Sequence, residues 1–66
     1  MVALITGASS DIGKSIAIML NNNEYDLVLL YHNKEIDYLD KLNNVKTFKC
    51  DISNEEEVKN IINTVD

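Results

Sequence analysis

Leu27-Val28-Leu29-Leu30-Tyr31 is apolar throughout and no longer than one strand. A strand with one face in water alternates apolar and polar residues. An unbroken run needs both faces covered, the situation of a parallel sheet with helices above and below. That requirement governs how the rest of the chain is read.

The flanking residues supply what such a sheet needs. A first short apolar run, around Leu4-Ile5, stops at Thr6-Gly7. Ile12, Ile16, Met19 and Leu20 then follow at helical spacing. Asn21-Asn22-Asn23 should end that helix, because Asn tolerates the left-handed backbone of a C-terminal cap. After the central run, residues 34–42 are expected to form a second helix with Ile36, Leu39 and Leu42 on one side, and Asn43-Asn44 a turn. A third strand is expected from Val45 to Cys50. Its Lys46 and Lys49 suit a sheet edge, where charge discourages pairing with another chain.

The last helix carries the capping-box spacing Ser53…Glu56, acids in its first turn, and Val58, Ile61, Ile62 and Val65 on one face. It is still in register at Val65 with no stop signal, so the chain reads as cut. The expected fold class is α/β: a Rossmann-type β-α-β-α-β-α fragment with a parallel three-stranded sheet in the order 3-2-1.

Composition removes other classes. The chain has 66 residues, of which 45% are hydrophobic, so it is one small domain at most and not an intrinsically disordered segment. Eleven acids against six basic residues give a net charge of −5, which argues against nucleic-acid or anionic-membrane partners. No apolar run approaches the ~20 residues that span a bilayer. A single cysteine forms no internal disulfide, so a reducing, cytoplasmic setting is expected. His32 and Cys50 are too few for a zinc site. Cys50 reads as a small core or near-cofactor side chain rather than a nucleophile, Tyr25 as packing, and Glu55-Glu56-Glu57 as a helix start matched to its dipole.

The chemistry concentrates in Thr6-Gly7-Ala8-Ser9-Ser10-Asp11-Ile12-Gly13, between the first strand and the first helix. A tight glycine turn that delivers free N–H groups at a helix N-terminus is what a nucleotide phosphate requires. A rival motif overlaps it. Ala8-x4-Gly13-Lys14-Ser15 is a relaxed P-loop, in which Lys14 would reach the β/γ-phosphates and Ser15 would ligate Mg²⁺. Ala in place of the first Gly, and Lys49-Cys50 in place of an apolar run before Asp51, weigh against it.

With these residues in place the sequence resembles the short-chain dehydrogenase/reductase family, whose fingerprint is T-G-x-x-x-G-x-G after the first strand. Thr6, Gly7 and Gly13 match; Asp11 stands at the middle glycine. Cys50-Asp51-Ile52-Ser53 resembles the family's D-[VI]-[ST] element at the end of the third strand. The resemblance covers the whole chain and is nearest to bacterial 3-oxoacyl-carrier-protein reductases. It implies a nicotinamide dinucleotide as partner, with Gly7 and Gly13 shaping the pyrophosphate turn and amides near Ser9, Ser10, Asp11 and Ile12 meeting the phosphates. Asp51 would hold the adenine amino group and Ile52 would line its pocket. Asp11 either caps Gly13 or Lys14 and points away, or weakens cofactor binding.

An acid about 20 residues past the glycine turn would bind the ribose 2′-hydroxyl of NAD. Tyr31, His32 and Asn33 occupy that place, so NADP(H) is favoured over NAD(H), with His32 or Lys34 near the 2′-phosphate. The family's catalytic pair is Y-x-x-x-K with an upstream Ser. Leu29, Glu35 and Leu42 lie four beyond Tyr25, Tyr31 and Tyr38, so no catalytic residue is assigned.

The expectation is therefore residues 1–66 as the N-terminal part of a dinucleotide-binding domain, truncated before the catalytic region and of marginal stability alone. The full-length enzyme would exchange a hydride with a carbonyl or acyl-carrier-protein-linked substrate and form a homo-oligomer through later helices. A P-loop nucleotide-triphosphate-binding protein and a non-catalytic dinucleotide-sensing module are the alternatives.

Overall fold

The structure, a computed structural model, describes residues 1–65, with side chains to Thr64. Strand β1 (Val2–Ile5), helix α1 (Asp11–Asn22), strand β2 (Asp26–Tyr31), a 3₁₀ turn (Leu39–Lys41), strand β3 (Val45–Lys49) and helix α2 (Glu55–Val65) follow one another. The three strands are parallel in the order β1-β2-β3, so the central apolar run occupies the middle of the sheet. This is the Rossmann-type α/β alternation, and β3 lies at an edge with Lys46, Thr47 and Lys49 exposed.

β2 is buried on both faces, as its composition requires. Leu27 and Leu29 join Ile5, Ala8, Ala17 and Tyr38 in the core under α1. Val28 and Leu30 join Cys50 and Ile61 in a second core under α2. Because successive strand side chains point to opposite faces, four consecutive buried residues seed two cores.

α1 packs differently from its expected stripe. Gly13 and Ala17 are its buried residues, whereas Ile12, Ile16 and Met19 are exposed. Small side chains let the helix axis approach the sheet, and Ile18 and Leu20 complete the contact from its flanks. The helix ends at Asn23, but the left-handed residue is Glu24, with φ 67°. Asn21 instead reaches out of the helix. Its Nδ2 donates to the carbonyls of Tyr25 (3.0 Å) and Asn43 (2.8 Å), and its Oδ1 accepts from the Asn43 amide (2.9 Å).

The helix expected over residues 34–42 is reduced to the 3₁₀ turn, held by bonds from the Lys41 and Leu42 amides to the Tyr38 and Leu39 carbonyls. So short a helix has little stability of its own, and tertiary contacts decide its form. Here Tyr38 takes the core position, Ile36 and Leu42 pack beside it, and Leu39 is exposed.

α2 begins one residue after Asn54, whose Oδ1 accepts from the amides of Glu56 (3.1 Å) and Glu57 (3.3 Å). Asn54 therefore caps the helix in place of the expected Ser53. Val58 and Ile61 face the second core and Ile62 is exposed. The side chain of Val65 and all of Asp66, on which the expected continuation of this helix rests, lie outside the described residues.

Candidate functional site

The glycine turn connects β1 to α1 at the C-terminal edge of the sheet. Gly7 adopts φ +61°, and a Cβ built there would meet nothing within 4 Å, so backbone conformation rather than crowding demands glycine. Gly13 has the opposite constraint. A Cβ on it would collide with the Gly7 carbonyl oxygen and come within 3.0 Å of the Ala8 Cα. The first turn of the helix thus lies directly on the turn that precedes it.

Ser10 is the N-cap. Its Oγ accepts from the Gly13 amide (3.0 Å) and donates to the Gly7 carbonyl (2.8 Å), joining the turn to the helix. The expectation that Asp11 caps Gly13 or Lys14 is thereby corrected. Asp11 is the first helical residue, exposed and without a side-chain hydrogen bond among the described residues, because Ser10 already satisfies the Gly13 amide.

The fate of each amide decides what the turn can hold. The Ala8 amide donates to the Leu30 carbonyl (3.1 Å), the Ser10 amide to the Gly7 carbonyl (3.1 Å) and the Lys14 amide to the Ser10 carbonyl (2.9 Å). Those of Ser9, Asp11 and Ile12 have no partner among the described residues. Three open N–H donors at the positive end of a helix suit an anion. The P-loop alternative needs the amides around Gly13 and Lys14, and both are engaged. Lys14 itself turns toward the crossover, its Nζ 5.9 Å from the centre of the Tyr38 ring.

Beside the turn, a cavity of about 120 Å³ opens between the ends of the three strands, lined by Gly7, Leu30, Tyr31, His32, Cys50, Asp51 and Ile52. Five residues that the sequence marked for cofactor binding, Gly7, Tyr31, His32, Asp51 and Ile52, meet here from three separate segments. Ser9, Ser10, Asp11, Ile12 and Gly13 lie outside this lining, in the adjoining turn and first helical turn. A larger hollow of about 310 Å³ lies at the opposite end of the strands, against Val2, Asp26, Val28, Asn44, Val45 and Lys46. It has neither a glycine turn nor a helix N-terminus, and open parallel sheets bind ligands at their C-terminal ends.

Asp51 is shaped by its own loop. Its Oδ1 accepts from the Ser53 amide (2.9 Å) and the Ser53 hydroxyl (2.6 Å). These bonds stabilise the carboxylate and, with a smaller contribution from His32, hold its pKa below the ordinary value. Burial, reinforced by the charges of Glu57 and Asp51, raises the pKa of the Cys50 thiol. Among the described residues no group of His, Cys, Asp and Glu is placed to hold a metal ion.

Two contributors to this geometry escaped the sequence reading. Ser53 organises Asp51 rather than the helix, and the Asp-x-Ser spacing of an Asx turn was the available signal. Tyr38 donates its hydroxyl to the Ala8 carbonyl (2.5 Å), thirty positions away, and no local pattern announces such a contact.

Neither a curated protein nor a solved structure matches the chain. A family model described as short chain dehydrogenase matches residues 1–66. That family is one of oxidoreductases that bind a nicotinamide dinucleotide. The match spans the full sequence, and with the parallel sheet and glycine turn it identifies this chain as a member of the short chain dehydrogenase family.

Proposed function

We propose that the chain forms the dinucleotide-binding part of an oxidoreductase that moves a hydride between a nicotinamide cofactor and a carbonyl or hydroxyl compound, with NADP(H) favoured over NAD(H). The observation that carries this reading is that Gly7 lines the strand-end cavity and opens the turn in which the Ser9, Asp11 and Ile12 amides have no partner among the described residues. The residues fit the group. Gly7 leaves open space where a side chain would stand, and the donors are backbone N–H groups suited to a pyrophosphate.

In this reading Gly7 and Gly13 shape the pyrophosphate turn, and Ser10 holds the turn rigid against the helix. Asp51 accepts from the adenine amino group through the oxygen that Ser53 leaves free, and Ile52 covers the ring. Tyr31 and His32 flank the ribose. No carboxylate follows β2 before Glu35, so a 2′-phosphate meets no fixed repulsion, while His32 and Lys34 are exposed beside its place. The bound nicotinamide supplies or accepts the hydride. No tyrosine here has a lysine four positions on, so proton delivery to the substrate is assigned to none of these residues. A 3-oxoacyl-carrier-protein-like substrate, a cytoplasmic setting and a homo-oligomeric full-length enzyme complete the proposal.

Titrating the full chain with NADPH, NADH and ATP–Mg²⁺ tests it. NADPH should bind more tightly than NADH, and ATP–Mg²⁺ negligibly. Equal affinities for the two dinucleotides would remove the 2′-phosphate argument, and no binding of either would sink the reading.

A further inference from the structure

We propose that Tyr38 is a positioning residue that aims the Ser9 amide of the glycine turn, acting through the Ala8 carbonyl. The proposal rests on the reading of that turn as the pyrophosphate site.

Ala8 is fully buried, and its backbone is held from two directions. Its amide donates to the Leu30 carbonyl of β2 (3.1 Å), and its carbonyl accepts the Tyr38 hydroxyl. The Ala8 carbonyl and the Ser9 N–H belong to one planar trans peptide and point in opposite directions. Fixing the oxygen toward Tyr38 therefore fixes the Ser9 N–H away from it, out of the core. That amide is one of the three in the turn without a partner among the described residues. Without the hydroxyl, the peptide between Ala8 and Ser9 loses the one partner its carbonyl has among the described residues and is free to rotate, taking the donor off target.

Tyr38 is itself clamped. Only 1% of its surface is exposed, and the Lys14 ammonium stands 5.9 Å from the ring centre. The ring comes from the crossover between β2 and β3, so this contact ties that segment to both the turn and the first helix. It also accounts for the crossover's shape: the chain there forms a short 3₁₀ turn around a buried tyrosine instead of the helix its apolar spacing suggests. A preset donor adds affinity because its orientation need not be fixed at binding.

The test compares Tyr38→Phe with Leu42→Ala in the full chain. Phe keeps the ring and removes only the hydroxyl. Leu42 packs against the same core but has no hydrogen bond to the turn. Tyr38→Phe should weaken NADPH binding about tenfold and shift the Ser9 amide resonance of the unliganded chain. Leu42→Ala should lower the melting temperature while leaving NADPH affinity within about twofold. Wild-type affinity or an unmoved Ser9 resonance in Tyr38→Phe would overturn the proposal, as would an equal affinity loss in Leu42→Ala. A wild-type chain that binds neither NADPH nor NADH would instead fail the underlying site assignment, and this inference with it.

Discussion

Gly13 lies so close to the Gly7 carbonyl oxygen that no side chain fits between the helix and the turn. Alanine is the better helix former by about 1 kcal/mol, so propensity alone favours Gly13→Ala. The obstruction is backbone, which cannot swing aside, and overpacking of this kind costs about 1–3 kcal/mol. Gly13→Ala is expected to destabilise on balance and to displace the turn. Gly7→Ala has free space around it and pays only for its left-handed backbone, about 1–2 kcal/mol, with Gly7→Asn milder. Chemical denaturation of the three variants checks the ordering within Gly7 and the sign at Gly13.

Ser10 and Asp11 are neighbours with separable effects. Ser10→Ala removes the N-cap and should cost about 1 kcal/mol of stability. Asp11→Asn touches no hydrogen bond and gives up only a favourable charge in the first turn, about 0.5 kcal/mol. Removing a carboxylate beside the open amides should tighten NADPH binding by about threefold at low ionic strength, with the gain fading as salt is raised. Isothermal titrations at two salt concentrations give the answer. An unchanged dissociation constant at low salt would mean that Asp11 exerts no repulsion on the cofactor.

Asn21 joins the end of α1 to the turn before β3 through hydrogen bonds to Tyr25 and Asn43. Asn21→Ala strands three backbone groups in a partly exposed place, and a loss of about 2 kcal/mol is expected from the usual worth of such bonds. The site is at the far end of the sheet from the glycine turn, so the variant should lose stability with its NADPH affinity intact. Thermal melts paired with one cofactor titration separate the two quantities.

Asp51 makes the fold sensitive to acid. Its folded pKa lies below its unfolded one, first because of the Ser53 hydroxyl and amide. The stabilisation is therefore fully present above the ordinary carboxylate pKa near about 4 and is lost as pH falls through the depressed folded value. Ser53→Ala removes the larger contribution, so the Asp51 carboxyl should titrate closer to its ordinary value. Following its carbon resonance across the acid range in both proteins measures the difference directly, and coincident curves would refute the assignment of cause.

Tyr38 sets a limit at the other end of the scale. Burial, and then the nearby Asp37 charge, raise its pKa above the ordinary value of about 10. Its contribution to stability is present below that pH and is lost as pH climbs through the raised folded value. As pH climbs above about 10 the wild-type chain should lose stability more steeply than Tyr38→Phe, whose ring has no proton to release. Denaturation midpoints over that climb provide the comparison.

The sheet was legible because its physical signature is local. Four consecutive buried leucine and valine residues can be satisfied only by cover on both faces, and lysines mark the edge strand wherever it sits in the sequence. The glycine turn was legible for the same reason, since a positive φ at Gly7 and a close approach at Gly13 are demands on single residues. The convergence of Tyr31, His32, Asp51 and Ile52 with Gly7 followed from parallel strands, which bring their C-terminal ends to one edge.

The features that were not legible are choices among groups that are equivalent along the chain. Ser10 and Asp11 are both good helix caps, and the position of the Gly7 carbonyl selected Ser10. Ser53 and Asn54 compete in the same way, and Ser53 was drawn to the Asp51 carboxylate. Ile12, Ile16 and Met19 offered the greater apolar surface, yet α1 turned Gly13 and Ala17 inward, where small side chains let the helix lie close against the sheet. Tyr38 is the furthest case. Its partner stands thirty positions away, its local spacing favours a helix, and a buried hydroxyl in need of an acceptor found one in the glycine turn. Periodicity and turn chemistry act over a few residues and were determined by the sequence itself; the pairing of buried polar groups acts over the whole fold and was settled only there.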